Sequence, residues 1–479
     1  MRLLPRLRPR AWTAATTHHQ PRTIITHTSV AGKSYEHIFP PPAIFAAKTT
    51  PPVEPPLVRN HGHAYWQHIG PWRDVPEEEF LSYRWQTSHT IDRKDKLLNF
   101  LEAVLPVRIP QPAGVNSPWS RIKTRHDFLA DVEGGMKVAP MSVRLTPHML
   151  SVADWHNPLE DPIRRQFIPL QSAIKEDHPA LELDSLHETD DSPVPGLVHR
   201  YPDKVLFLAT SVCPVYCRFC TRSYAVGNNT ESVTKASQKP TRKRWEAMFE
   251  YIESTPAIQD VVVSGGDSYY LQPEQLQLVG KRLLQIPHVQ RIRFATKGLA
   301  VCPMRITDRS DGWTDTFISI SNLGRSIGKQ VAMHTHFNHP REITWATERA
   351  ARYLFERGVT VRNQSVLLKG VNDDLHTMST LIRKLADLNV QPYYVYQSDM
   401  VRGVEDLRTP LSTILNLERH IRGTIAGFMM PSFVVDLPGG GGKRLANSFD
   451  SYDEEAGVSY WRAPGIAGDE VFTYHDPAQ

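Results

Sequence analysis

Cysteine is scarce in this chain: four occur in 479 residues, and three of them lie between 213 and 220. So few, so bunched, make a poor secreted disulfide framework and a good metal-ligand set for a reducing compartment. The fourth, Cys302, stands alone and reads as a small buried apolar residue. Long apolar runs are also missing; nothing approaches the roughly 18 residues of a membrane span, so no membrane-spanning protein is expected. Excess charge is slight, a formal +4 with much of the arginine at the extreme N-terminus, which gives little support to a nucleic-acid partner. Acidic residues are absent before Glu36, while Arg2, Arg6, Arg8, Arg10, Arg22 and Lys33 precede it among several Ser and Thr. That pattern is expected of a mitochondrial transit peptide and hence a matrix location; the alternatives are a short disordered basic tail and a cytoplasmic protein.

What is present divides the chain. Prolines 40–42, 51, 52, 55 and 56 make an extended linker, because proline fixes φ and donates no hydrogen bond; residues 1–61 are therefore expected to be leader and linker without fixed structure. Residues 62–198 read as an N-terminal helical subdomain, with helices from Val75 to Gln86 and from Lys96 to Leu105, a loop from Pro106 to Pro118, a helical LTPHMLSVADW and an acidic stretch from Glu182 to Asp191. From 199 to 400 short β-branched runs alternate with amphipathic segments: Val205–Thr210, Val261–Ser264, Arg291–Thr296, Gln330–Phe337, Thr360–Leu368 and Gln391–Gln397. Leu375, Met378, Leu381, Ile382, Leu385 and Leu388 recur at helical spacing in one connector. The alternation predicts an α/β fold, a partial (βα)6 barrel with chemistry beyond the strand C-termini, followed by a C-terminal extension over 401–479.

Cys213-Pro-Val-Tyr-Cys217-Arg-Phe-Cys220 follows the first barrel strand. Three thiolates on one loop can hold three irons of a [4Fe–4S] cube and leave the fourth open to an outside ligand; a structural zinc would want a fourth Cys or His. Ser264-Gly265-Gly266-Asp267 follows the second strand, where glycine lets backbone approach a ligand, although glycine turns after strands are common. Asp436-Leu437-Pro438 and Gly439 to Gly442 lead into Lys443 after a strand at Phe433–Val435. The Walker pattern fails there, with Leu437 at its first glycine and Arg444 at its Ser/Thr. A lysine on a loop of bare amides suits a Schiff base with pyridoxal phosphate (PLP), or is a flexible turn.

The cysteine spacing is that of the radical S-adenosylmethionine (SAM) superfamily. Together HRYPDKVLFLATSVCPVYCRFCTR, SGGD, THFNHP, NQSVLLKGVND, YVYQSD and VVDLPGGGGK, in that order, resemble the lysine 2,3-aminomutase family of PLP-dependent radical SAM enzymes, from about Trp66 to about Arg444. The resemblance implies a radical SAM barrel with a [4Fe–4S] cluster on Cys213, Cys217 and Cys220, SAM on that cluster, and PLP on Lys443. It places Ser264, Gly265, Gly266 and Asp267 at the methionyl end of SAM, and Arg200 and Lys204 around the PLP phosphate. Lys204 departs from a more usual arginine, so charge is kept and a bidentate fork lost; Thr296-Lys297 likewise departs from Ser/Thr-Arg. Arg222 matches the arginine for the substrate carboxylate, Asp399 and Asp436 the two carboxylates for the distal ammonium, and His336, Gln364 and Tyr396 the lining of the adenosyl and substrate pocket. His336 could equally be a hydrogen-bonded barrel histidine.

The implied reaction moves the α-amino group of L-lysine to C3 and gives β-lysine, an isomerisation that needs an electron donor of the flavodoxin or ferredoxin kind. Two carboxylates specify charge better than chain length, which leaves arginine or ornithine as alternative substrates. A radical SAM enzyme that modifies protein or tRNA, or a non-catalytic iron–sulfur and PLP-binding protein, are the readings from other classes. Cysteines that bind zinc between subunits in bacterial members have no counterpart after Cys302. A homo-oligomer is left open, as is the role of the tail with Asp450, Asp453, Glu454, Glu455 and the Trp461–Pro464 turn.

Overall fold

Residues 64–112, 117–236 and 238–478 are described by the computed structural model of the chain; the expected leader and linker over 1–61 lie outside them. The β-branched runs become parallel strands of one sheet: β2 (Lys204–Thr210), β3 (Asp260–Gly265), β4 (Arg291–Ala295), β5 (Gln330–Thr335), β6 (Thr360–Val366) and β7 (Gln391–Tyr396). Each is followed by a helix, at Arg242–Glu253, Pro273–Gln285, Trp313–Ser326, Trp345–Glu356, Leu375–Asp387 and Leu411–Ile421, and these six units are the expected partial barrel. β8 (Ser432–Leu437) adds a seventh parallel strand beside β7, while β1 (Leu197–Tyr201) and β9 (Gly442–Leu445) close the two edges antiparallel. The order runs β1 to β9 without interruption. Strands covered by helices read as near-continuous apolar runs, which is why they were visible in sequence. The helix at Leu375–Asp387 buries Met378, Leu381, Ile382 and Leu385, and Asp374 caps it by accepting from the Thr377 amide at 2.9 Å.

Among the described residues no helix is long and apolar enough to cross a membrane. The N-terminal subdomain is helical, with two differences from the periodicity. Val75–Gln86 splits into Glu77–Phe80 and Tyr83–Ser88, because Ser82 turns extended and its hydroxyl caps the second helix. A helix at Arg125–Val138 carries no strong apolar stripe; a Thr124–Asp127 capping box starts it, and Gly135 lets it pack where a Cβ would lie 3.0 Å from the Pro169 carbonyl oxygen. Trp66 stacks on Phe80 with centroids 4.2 Å apart and donates its indole N–H to the Val75 carbonyl at 2.9 Å. The apolar core containing both rings continues into the barrel helices at Trp245, Phe249 and Phe317.

The boundary expected at 400 divides elements that the structure joins. β8 and β9 belong to the barrel sheet, since pairing of β8 with β7 and of β9 with β8 supplies the hydrogen bonds that a separate segment would lack. Beyond them β10 (Ser451–Asp453), β11 (Val458–Arg462) and β12 (Val471–His475) form an antiparallel sheet. Its buried face shares a second core with Phe433, Val435 and Leu437 of β8.

Trp66 is fully buried, so Trp66→Ala should cost about 3–5 kcal/mol in chemical denaturation. A loss below about 1 kcal/mol would show that the subdomain contributes little to the common core.

Candidate active site

A cavity of about 360 Å³ opens inside the barrel, and every cofactor, substrate or metal residue named from sequence except Gly265 lines it. The cysteine loop leaves the C-terminal end of β2 and is tied down on both sides. The Tyr216 amide donates to the Arg144 carbonyl at 3.0 Å, the Arg218 amide to the Gln166 carbonyl at 2.9 Å, and the buried Arg218 guanidinium forks onto Asp406 at 2.8 and 3.1 Å. Cys213, Cys217 and Cys220 are free thiols facing the cavity. Burial raises all three pKa values, that of Cys217 to about 12, so a bound metal must displace their protons. Among the described residues no three His, Cys, Asp or Glu are grouped to hold a single ion; a cube takes each cysteine on a different iron. Three thiols on one anchored loop with no fourth cysteine beside them fit that donor set.

Two glycines at the end of β3 are dictated by space. Gly265 has φ +120°, and a Cβ there would strike the Thr210 backbone; a Cβ on Gly266 would lie 2.5 Å from the Val212 carbonyl oxygen. The buried Asp267 carboxylate accepts from the amides of Tyr269 at 2.8 Å and Lys297 at 2.7 Å. It thereby braces the turn against the β4 loop, and burial raises its pKa.

Opposite the cysteine loop, Lys443 on β9 pairs in register with Asp436 on β8, its Nζ 2.5 Å from Oδ2. Burial pushes the Lys443 ammonium toward neutrality, but Asp436, Tyr396 and Tyr201 outweigh burial and its pKa is raised. Nζ lies 5.5 Å from the Tyr396 ring centroid, and the Tyr201 hydroxyl accepts from the Lys443 amide at 3.2 Å. Asp399, just past β7, is pushed up to about 8 by burial and then by Asp436. One oxygen of each aspartate, Asp399 Oδ1 and Asp436 Oδ1, is buried without a hydrogen-bond partner. Such acceptors are costly unless a ligand supplies the donor.

Two of the remaining cations hold carboxylates of the protein. Arg222 forks onto Glu188 at 2.7 and 2.6 Å, joined by the Tyr224 hydroxyl at 3.2 Å. Arg200 meets Asp191 at 2.6 Å and the Leu186 carbonyl. Lys204 rests its ammonium 3.4 Å from the Tyr201 ring centroid, and burial, then Lys443, lower its pKa to about 8. A phosphate would find two cations and the amides of a glycine turn here, since Gly440 (φ +94°) faces Arg200. His336 is a cavity residue and a hydrogen-bonded barrel histidine at once: its Nε2 lies 3.0 Å from Asn338 Oδ1, and burial, helped by Lys297, keeps it neutral. Gln364 reaches His334 at 3.4 Å. Sequence reasoning missed Glu188, Asp191 and Tyr201; the first two lie in the acidic stretch, but nothing in their spacing joins them to arginines 34 and 9 residues on.

No protein-family model matches the chain. It is 37% identical over 372 residues to an L-lysine 2,3-aminomutase of Clostridium subterminale, covering 78% of this chain and 79% of that protein. With an L-lysine 2,3-aminomutase of Bacillus subtilis the figures are 38% over 381 residues, 79% and 71%. With a glutamate 2,3-aminomutase of Clostridioides difficile they are 30% over 367 residues, 77% and 76%. Among solved structures, Streptococcus suis SuiB bound to S-adenosylmethionine aligns at TM-score 0.35 and 13% identity over 49% of this chain and 51% of its own, too loosely to bear on the site.

If Asp436 is what holds a proton on Lys443, Asp436→Asn should move the pH midpoint of Lys443 reductive methylation, read by peptide mapping, to lower pH. An unchanged midpoint would assign the raised pKa to another group.

Proposed function

Because this chain belongs to the lysine 2,3-aminomutase family, we propose that its cavity moves the α-amino group of L-lysine to C3, giving β-lysine. The observation that carries the substrate is the pair of buried, unpartnered oxygens on Asp399 and Asp436, in the same cavity as the Arg222 guanidinium. A carboxylate at one end and an ammonium at the other satisfy both. With Glu188 beside Arg222 and Asp267 at the glycine turn, four carboxylates face the cavity, which opposes a dicarboxylate substrate such as glutamate.

Cys213, Cys217 and Cys220 would hold a [4Fe–4S] cluster; Ser264, Gly265 and Gly266, braced by Asp267, would meet the methionyl end of SAM, with His336 and Gln364 along its adenosyl side. Lys443 would carry PLP, its phosphate toward Arg200 and Lys204. When bound, these groups supply one-electron removal and return of hydrogen at C3 and electronic delocalisation for the migrating nitrogen.

The chain's own residues position and move protons. In the ligand-free protein the Lys443 ammonium occupies Asp436. The distal ammonium of lysine, arriving between Asp399 and Asp436, takes that place, and the proton of Asp399 passes to solvent. Lys443, relieved of Asp436, is left to burial, which favours its neutral amine, the form that would hold PLP. Arg222, its guanidinium clasped by Glu188, presents its remaining N–H groups to the α-carboxylate, and Tyr396 packs beside Lys443. The reducing electron comes from a flavodoxin- or ferredoxin-like donor. The basic segment before Glu36 directs the protein to the mitochondrial matrix, which a fluorescent fusion of residues 1–61 tests directly.

Anaerobic protein reconstituted with iron, sulfide, PLP, SAM and reductant should convert L-lysine to β-lysine, read by chromatography and mass, and Cys217→Ala should lose at least about 10³-fold of that rate. No β-lysine from protein shown to hold cluster and PLP would reject lysine and turn the assay to arginine and ornithine. Borohydride should fix PLP to the Lys443 peptide, and Lys443→Ala should abolish the adduct while iron content is unchanged.

With Asp399 near 8, the ligand-free site is protonated at neutral pH, whereas the bound ammonium needs the carboxylate. Lysine affinity, titrated through the PLP absorbance, should therefore rise by up to about tenfold per pH unit as pH approaches 8 and flatten above it. Asp399→Asn should remove that slope.

A further inference from the structure

The C-terminal sheet touches both halves of the cation site from behind. On one side it packs on the turn before Lys443: a Cβ on Gly441 would lie 2.8 Å from the Phe472 ring, and one on Gly442 would lie 2.5 Å from Ile466 Cδ1. Trp461, Phe472 and Tyr474 share a core with Val435 and Leu437, the neighbours of Asp436 on β8. On the other side the Tyr474 hydroxyl, nearly fully buried, donates to the Ser398 carbonyl at 2.9 Å and accepts from Gln397 Nε2 at 3.1 Å. Ser398 and Gln397 immediately precede Asp399. The tail itself is anchored: Asp476 accepts from the Leu411 amide at 2.8 Å and the Tyr452 hydroxyl at 2.7 Å, and the His475 carbonyl accepts from Arg408, whose buried guanidinium pairs with Glu405 at 2.7 Å.

We propose that this sheet is a frame that sets the spacing of Asp399 against Asp436, and that Tyr474 is its positioning residue. A carbonyl held by a buried phenol cannot drift, so the carboxylate one residue on keeps its distance from Asp436 and from Arg222. Chain-length selection among cationic amino acids then resides in the tail, although no tail residue lines the cavity. The proposal rests on the two aspartates receiving the distal ammonium.

Tyr474→Phe removes one hydroxyl and keeps the ring. In PLP-loaded full-length protein, lysine affinity read from the PLP spectrum should fall about tenfold, the size expected for losing one buried hydrogen bond. Its preference over ornithine should shrink by a similar factor, while SAM affinity is unchanged. In an Asp399→Asn background Tyr474→Phe should add less than about twofold, because it acts through that carboxylate. Equal losses for lysine and SAM, or full multiplication with Asp399→Asn, would mean general loosening and overturn the proposal. If Asp399→Asn leaves lysine affinity intact, the charge reading of the site fails and this proposal with it; if Asp399→Asn weakens binding and Tyr474→Phe does not, only the frame is wrong. Should Tyr474→Phe not be recovered folded, Gln397→Met, which removes the second tie between Tyr474 and the segment before Asp399 together with the donor to Thr409, must give the same selective loss.

Discussion

Buried charge held in opposite-sign pairs is the constraint on which this cavity depends. Lys443 lies on Asp436, Arg222 on Glu188, Arg200 on Asp191 and Arg218 on Asp406. Taking one member away from a buried pair costs about 3–5 kcal/mol, so without ligand the protein answers these cations with its own carboxylates. The unpaired oxygens of Asp399 and Asp436 mark where that balance is left for a substrate to complete.

The fold delivers these groups by a simple division. The ends of β2 and β3 carry the cysteine loop and the glycine turn, and β7, β8 and β9 carry Asp399, Asp436 and Lys443. Strands on opposite flanks of one open sheet thus face each other across the cavity. Close backbone approach at Gly265 and Gly266 keeps the first flank tight. On the second flank the antiparallel β8–β9 pairing puts Asp436 opposite Lys443 in register, seven residues apart in sequence yet in contact.

The parallel strands were legible because each sets buried apolar residues between turn or helix signals, and the helix at Leu375–Asp387 because its buried face repeats at 3.6 residues. The helix at Arg125–Val138 was not, since two glycines interrupt its pattern, Gly135 packing against Pro169 and Gly134 against the Gln171 side chain. β1, β9 and the tail sheet are short and carry mixed polarity, and their pairing partners are set by contact with the barrel and not by local preference.

Local chemistry was within reach of the sequence: three cysteines on one loop, glycines where only bare backbone fits, and a lysine closing a glycine run each have their meaning within ten residues. The tertiary structure alone decided who neutralises whom. Glu188 on Arg222, Asp191 on Arg200, Tyr201 beside Lys204 and Tyr474 behind Ser398 join residues whose separation follows no period. The raised Asp399 and the neutral His336 follow from burial, a property of the packed barrel that a linear chain does not possess.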